Sequence, residues 1–172
     1  WDQNGSAIEI GDAPITVFDL ALDADGSRLA GALSNGDIAI WEIGPDMILG
    51  PQVHNAHQFE ASAVDYSDSG VLASVGTDGR VLVWDSGMDP SELHVTSGSA
   101  LTSVRWSPDG DVLGVVHRNG IDVVHADGAS TIRRIDIEAA DTARSFAWID
   151  NNSLVIAVDS RLVRMTSVDS AY

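Results

Sequence analysis

Polar and apolar positions alternate along this chain in short runs, cut at regular intervals by turn residues. Thr16 to Leu22, Ser62 to Tyr66, Thr102 to Trp106 and Ser145 to Trp148 alternate with period two, the pattern of a half-buried strand. Each ends on a large apolar residue (Leu22, Tyr66, Trp106, Trp148) and is followed by a turn: Asp23-Ala24-Asp25-Gly26, Ser67-Asp68-Ser69-Gly70, Ser107-Pro108-Asp109-Gly110 and Ile149-Asp150-Asn151-Asn152. A second run follows each turn and is apolar almost throughout: Arg28 to Leu33, Val71 to Val75, Val112 to Val116 and Leu154 to Val158. Such runs predict strands buried on both faces.

Asn35-Gly36, Asp78-Gly79 and Asn119-Gly120 close three of these runs and supply the positive φ angles of a tight hairpin. Third strands are predicted at Ile38 to Trp41, Val81 to Trp84, Ile121 to His125 and Leu162 to Met165; the last is reached without a glycine turn. A fourth, outer strand fits each connection, at Ala7 to Ile10, Gln52 to His54, Glu92 to Val95 and Thr131 to Ile137. Pro45, Pro51 and Pro90 fall in these connections, as on exposed edges and loops. Ile135 to Ala143 reads as a short helical turn.

The copies recur about every 40 residues, with Trp1, Trp41, Trp84, His125 and Met165 in the closing slot. A repeat of that length is one supersecondary unit that cannot bury its faces alone. The whole chain, 1-172, is therefore read as one domain with repeat units 1-42, 43-85, 86-126 and 127-172. It opens on Trp1-Asp2, the pair that ends the repeat at Trp84-Asp85, so it is expected to be a piece of something longer.

The repeat around Tyr66 resembles the WD-repeat β-propeller family, and the likeness extends over essentially the whole chain. His57 stands nine residues before Tyr66, with Ala56 where the family has glycine; Ser74 lies on the second strand, Asp78 opens the hairpin and Trp84 closes the third strand. The resemblance implies that His57, Ser74, Asp78 and Trp84 form one buried hydrogen-bonded tetrad. The other copies depart from it: Ala13, Gly31, Asn35 and Trp41 in the first, Ser97, Val115, Asn119 and His125 in the third, Ala139 and Met165 in the last. The expected fold is all-β, a β-propeller of four-stranded antiparallel blades. Two arrangements are open: an arc of a larger propeller, or a closed four-bladed ring in which Ala7 to Ile10 completes the last blade.

Composition narrows the partners. The formal net charge is −17, there is no lysine, and all nine cations are arginine. Such a surface repels phosphates and anionic lipid, so neither nucleic acid nor membrane is expected as a partner. High-salt adaptation and a GC-rich genome both account for the missing lysine. There is no cysteine, which removes disulfide and thiolate chemistry. No run approaches the roughly 20 apolar residues of a membrane span, and a cytoplasmic location is favoured.

His57, Ser74 and Asp78 have the composition of a nucleophilic triad, but that chemistry needs an exposed serine, and the resemblance places all three inside. Asp23-Ala24-Asp25-Gly26 lacks the terminal glutamate of a calcium loop and shares its position with hairpin turns. His54 and His57 have no third ligand nearby for zinc. No cofactor and no metal are expected. Asp65 and Arg105 occupy equivalent positions in adjacent copies and are expected to form an ion pair between blades or a polar patch near the channel.

These readings converge on a non-catalytic scaffold that binds other proteins of basic or polar surface, as the resemblance implies, with self-association if the arc is open. The candidate face combines the hairpin turns with the connections before each first strand: Asp12, Asn35, Asp37, Glu60, Arg80, Arg118, Asn119, Glu138 and Asp141. The alternatives are a regulatory or substrate-gating propeller of a larger enzyme, and a ligand-binding or enzymatic propeller, with sugar as one candidate ligand, that uses the central channel.

Overall fold

The computed structural model describes residues 15–45, 48–85, 88–93, 98–126, 131–137 and 142–166, and these form four antiparallel sheets with no helix among them. The first sheet holds β1 (Val17–Leu22), β2 (Arg28–Leu33), β3 (Asp37–Ile43) and β4 (Ile48–Asn55). The second holds β5 (Ala61–Tyr66), β6 (Leu72–Gly76), β7 (Val81–Trp84) and β8 (Pro90–Leu93). The third holds β9 (Leu101–Trp106), β10 (Val112–His117), β11 (Gly120–His125) and β12 (Thr131–Asp136). The fourth is three-stranded, with β13 (Ala143–Asp150), β14 (Ser153–Val158) and β15 (Arg161–Thr166). Strand order follows chain order in every sheet, as short hairpins between apolar runs dictate.

Most expected strands shift only at their ends, but four details differ. The outer strand expected at Gln52 to His54 is the longer β4, and Pro51 lies within this edge strand. The helical turn expected over Ile135 to Ala143 is absent from its described part: Ile135 and Asp136 extend β12, and Ala143 opens β13. The hairpin without glycine turns through Asp159, whose φ is 46°, a left-handed conformation that aspartate tolerates. Finally, His125 does not occupy the closing slot. Leu29, Leu72 and Leu154 face Trp41, Trp84 and Met165 across the ladder, whereas Leu113 faces Val124. The Asn119-Gly120 hairpin is one residue tighter than those of the first two sheets, which moves the slot to buried Val124 and leaves His125 exposed. The strand expected at Ala7 to Ile10 lies outside the described residues.

The sheets pack face to face in chain order through three apolar clusters. Ala30, Ala32, Ile38 and Ile40 of the first sheet meet Val64, Tyr66, Leu72, Leu82 and Trp84 of the second. Ala73, Val75 and Val81 then meet Val104, Trp106 and Leu113, and Val116, Ile121 and Val123 meet Phe146, Leu154 and Ile156. The first strands β1, β5, β9 and β13 run side by side as the inner rim, each contacting the next. Indoles join them as well: Trp106 Nε1 donates to Asp65 O and Trp148 Nε1 to Arg105 O, both at 3.2 Å. These are the same position in successive sheets, so an indole ties β9 to β5 and β13 to β9, whereas the hydroxyl of Tyr66, at the same position in the second sheet, has no hydrogen-bond partner among the described residues.

The outward faces of the first and last sheets lack this cover. Phe18, Leu20 and Leu22 alternate along β1 and are half exposed, although Val64 and Tyr66, the counterparts of Leu20 and Leu22 in the second sheet, are buried. On β15, Leu162 is 78% exposed. Burying such side chains is worth about 25 cal/mol per Å², so these faces favour association. Light scattering of the isolated chain is expected to give a molar mass above 18.1 kDa, and Leu20→Asp combined with Leu162→Asp is expected to return it to the monomer value.

Candidate interaction face

The hairpin turns after β2, β6 and β10, the connection leading into β5 and the described residues 98–100 before β9 lie at one end of the sheets. Beneath this end, in the second sheet, runs a chain of buried polar groups. Trp84 Nε1 donates to Ser74 Oγ at 3.0 Å; Ser74 Oγ and His57 Nε2 are 3.0 Å apart, and His57 Nδ1 lies 3.0 Å from Asp78 Oδ1. Indole only donates and carboxylate only accepts. The directions are therefore fixed: indole to hydroxyl, hydroxyl to Nε2, and Nδ1–H to carboxylate, with a neutral imidazole. Burial pushes the His57 pKa below its ordinary value against the pull of Asp78. Burial also works to raise the Asp78 carboxyl, but N–H groups of Gln58 and Arg80 and the imidazole outweigh it and hold the pKa below the ordinary value.

This geometry leaves no nucleophile. Ser74 is fully buried, its lone pair is taken by Trp84 and its proton by His57. The network also needs an empty place beside it. A Cβ on Gly76 would lie 2.6 Å from His57 Nδ1 and 2.9 Å from Asp78 Oδ1, so only glycine fits there. Sequence reasoning passed over Gly76, whose need for glycine shows only once the imidazole is placed.

The same network fixes the connection above it. Gln58 N donates to Asp78 Oδ2 at 3.0 Å and Arg80 Nη1 to Ala56 O at 3.1 Å. Thr77 N, of the same hairpin, donates to Glu60 O at 3.0 Å, and on the other side His57 N donates to Gly36 O at 2.9 Å. Gly36, at φ 93°, packs so closely on the carbonyls of His57 and Phe59 that a side chain has no room. Residues 56–60 are thus clamped between two hairpins while Gln58, Phe59 and Glu60 stay exposed.

Of the face residues proposed from sequence, Asn35, Glu60, Arg118 and Asn119 are exposed, and Asp37 and Arg80 are partly so. Asp37 accepts from Asn35 Nδ2 at 2.7 Å and Asn55 Nδ2 at 3.2 Å. Arg80 is held by Glu92 at 2.9 Å, with Asp78 at 4.0 Å. Asp12, Glu138 and Asp141 lie outside the described residues.

The third sheet replaces the missing tetrad with a different network. Arg134 grips the fully buried Asp122 through two bonds, Nε to Oδ1 at 2.9 Å and Nη2 to Oδ2 at 3.1 Å. Buried His117 accepts from Asn119 N at 3.2 Å through Nδ1, and its Nε2 stands 3.7 Å from Asp122, longer than a hydrogen bond. Burial lowers the His117 pKa against the pull of Asp122. An acid inside the apolar run Ile121-Asp122-Val123 was the available signal, with Arg133-Arg134 on the neighbouring strand.

On the inner rim the expected Asp65–Arg105 ion pair is not formed. Asp65 Oδ2 accepts from Trp106 N at 2.7 Å. Arg105 Nη1 runs back along the rim, donating to Val104 O at 2.7 Å and Val64 O at 3.3 Å, to reach Asp19 at 3.4 Å. Asp19 also accepts from Val64 N at 3.2 Å. The nearest backbone N–H captures the short aspartate, whereas the long arginine spans to the first sheet, so one cluster fastens three sheets. Burial pushes the Asp65 pKa up to about 6, although Trp106 N–H and Arg105 pull it down. Asp23, in the run weighed as a calcium loop, holds Ser27 Oγ at 3.1 Å and Arg28 Nε at 3.0 Å.

A family model described as the WD domain, G-beta repeat matches residues 50–85, the stretch that carries the tetrad. The chain is similar to several curated proteins. One is a "p21-activated protein kinase-interacting protein 1-like" of Gallus gallus, 32% identical over 116 residues, covering 67% of this chain and 31% of that protein. A "Probable cytosolic iron-sulfur protein assembly protein 1" of Cryptococcus neoformans is 33% identical over 95 residues, covering 44% and 22%. The "Methylosome protein WDR77" of Xenopus laevis is 26% identical over 97 residues, covering 54% and 28%. The chain thus spans about a third or less of the length of these relatives.

Two outcomes check the site. Ser74→Ala orphans the indole N–H and His57 Nε2 together, so urea unfolding is expected to show a loss of about 1–3 kcal/mol. Asp65 keeps its proton to a higher pH in the folded chain than in the unfolded one, so its contribution is full below the ordinary value of 3.8 and is lost as pH rises through about 6. Asp65→Asn, which keeps an acceptor for Trp106 N, is expected to gain stability relative to the parent chain across that window in pH-dependent urea titrations.

The sheets, their chain-order packing, the tetrad and the match at residues 50–85 lead to one assignment: the chain belongs to the WD-repeat β-propeller family.

Proposed function

We propose that this chain is a non-catalytic scaffold that binds other proteins through its hairpin-turn face. The observation that carries this reading is a backbone fixed from both sides beneath exposed side chains. The 56–60 connection cannot rearrange without breaking bonds to Gly36, Asp78 and Thr77, so its side chains are presented already ordered, and little entropy is lost when a partner docks. The buried serine supports the non-catalytic part. The channel reading loses support because Asp19, Asp65 and Arg105 are engaged in holding sheets together.

The names of the relatives speak of an interacting protein, an assembly protein and a methylosome protein, which supports a role in assemblies, and one of those names supports a cytosolic location. We read residues 1-172 as part of a single propeller whose end faces are covered by further blades. Among the described residues no helix is long and apolar enough to cross a membrane, since they form strands only.

Cross-linking of the full-length protein to its partners, read by mass spectrometry, tests the face. Combined substitution of Asn35, Glu60, Arg118 and Asn119 by alanine is expected to abolish partner cross-links. Substitution of Asp25, Asp68 and Asp109 in the turns at the other end is expected to leave them. The opposite pattern would refute the assignment.

A further inference from the structure

Phe59 stands out on the proposed face. It is 64% exposed, the most exposed aromatic among the described residues, and it sits in the middle of the clamped connection. The backbone on either side of it is held by bonds to Gly36, Asp78 and Thr77. Single exposed apolar residues are ordinary on protein surfaces, but an aromatic held in place is how a binding anchor is built.

Its surroundings indicate what the ring would take. Glu60 follows it in the chain, and Asp37 flanks Gly36, which touches the Phe59 carbonyl. The Asp37 carboxylate accepts from the neutral amides of Asn35 and Asn55. Arg80, the cation of the adjacent hairpin, is already gripped by Glu92. Glu60, in the same connection, and Asp37, beside Gly36, thus offer carboxylates on this face that form no ion pair with its described arginines. The chain itself shows what completes such a set: Arg28 stacks 5.3 Å from the centre of the Tyr66 ring while Asp23 holds its guanidinium at 3.0 Å. Ring and carboxylate together select a planar cation, which stacks on one and forks to the other.

We infer that Phe59 is the anchor of the face and receives an arginine side chain from a basic, extended segment of a partner protein, completed by the carboxylates of Glu60 and Asp37. This rests on the scaffold reading and names the chemistry of its partner. With a net charge of −17, the long-range field draws in the same kind of segment.

The test uses a fluorescent peptide of alternating arginine and glycine, its lysine counterpart, and the full chain, with anisotropy read across a salt series and amide NMR shifts mapping the contact. The arginine peptide is expected to bind more tightly than the lysine peptide. Phe59→Leu is expected to weaken it about two- to fivefold and to erase the preference, and Glu60→Gln to weaken it similarly. Asp68→Asn, an equal charge change at the other end, should have no effect; an unchanged urea midpoint shows that each variant is folded. Equal binding of both peptides, or indifference to Phe59→Leu, overturns the inference. If the shifts nonetheless map to residues 34–37, 56–60 and 77–80, the scaffold reading stands without it. Shifts confined to Ser67–Gly70 would overturn both, and the absence of any binding would overturn the basic partner while leaving the face open to a polar one.

Discussion

Every sheet in this chain is apolar on both faces, and that constraint organises the rest. A strand such as β6, with Leu72, Ala73, Ser74 and Val75 buried in succession, needs neighbours on two sides at once. Stacking in chain order is the solution reached, and it repeats three times with the same positions in contact. Apolar packing alone does not fix how far one sheet is rotated or slid against the next. The indole bonds of Trp106 and Trp148 and the Arg105–Asp19 span supply that register on the inner rim. They are directional, and each links a side chain to a particular backbone carbonyl or carboxylate of an earlier sheet.

A buried polar network in the second sheet plays the complementary part at the turn face. Four groups that would each be costly to leave unpaired in the interior satisfy one another in series, and the last of them, Asp78, carries the bonds outward to the connection at 56–60. Stability below and presentation above are thus one structure. The third sheet achieves burial with Asp122, Arg134 and His117 instead, so the fold does not require one residue set in every blade.

Much of this was legible in the residues. Period-two runs, Asn-Gly and Asp-Gly turns and the near-continuous apolar second strands locate the strands because those signals are local. The tetrad at His57, Ser74, Asp78 and Trp84 was legible through a family pattern that fixes its spacing. What escaped is what depends on geometry between segments. His125 shares a spacing with Trp84, but one residue fewer in the hairpin shifts the ladder and puts Val124 in its place. Asp65 and Arg105 share a repeat position, yet a backbone N–H competes for the carboxylate and the arginine reaches past it. Gly76 and Phe59 carry no sequence signal of their own; one matters for the space it leaves and the other for the rigidity of what holds it.

The central claim is that the second sheet's network makes the 56–60 connection as rigid as the strands beneath it. Native-state hydrogen exchange of single amides reads this directly. The account predicts that the amides of His57 and Gln58 are protected to the same degree as those of β6 and β7 and lose protection together with them in the His57→Ala chain. Exchange of these two amides at the rate of an unstructured loop, while β6 and β7 remain protected, would contradict it.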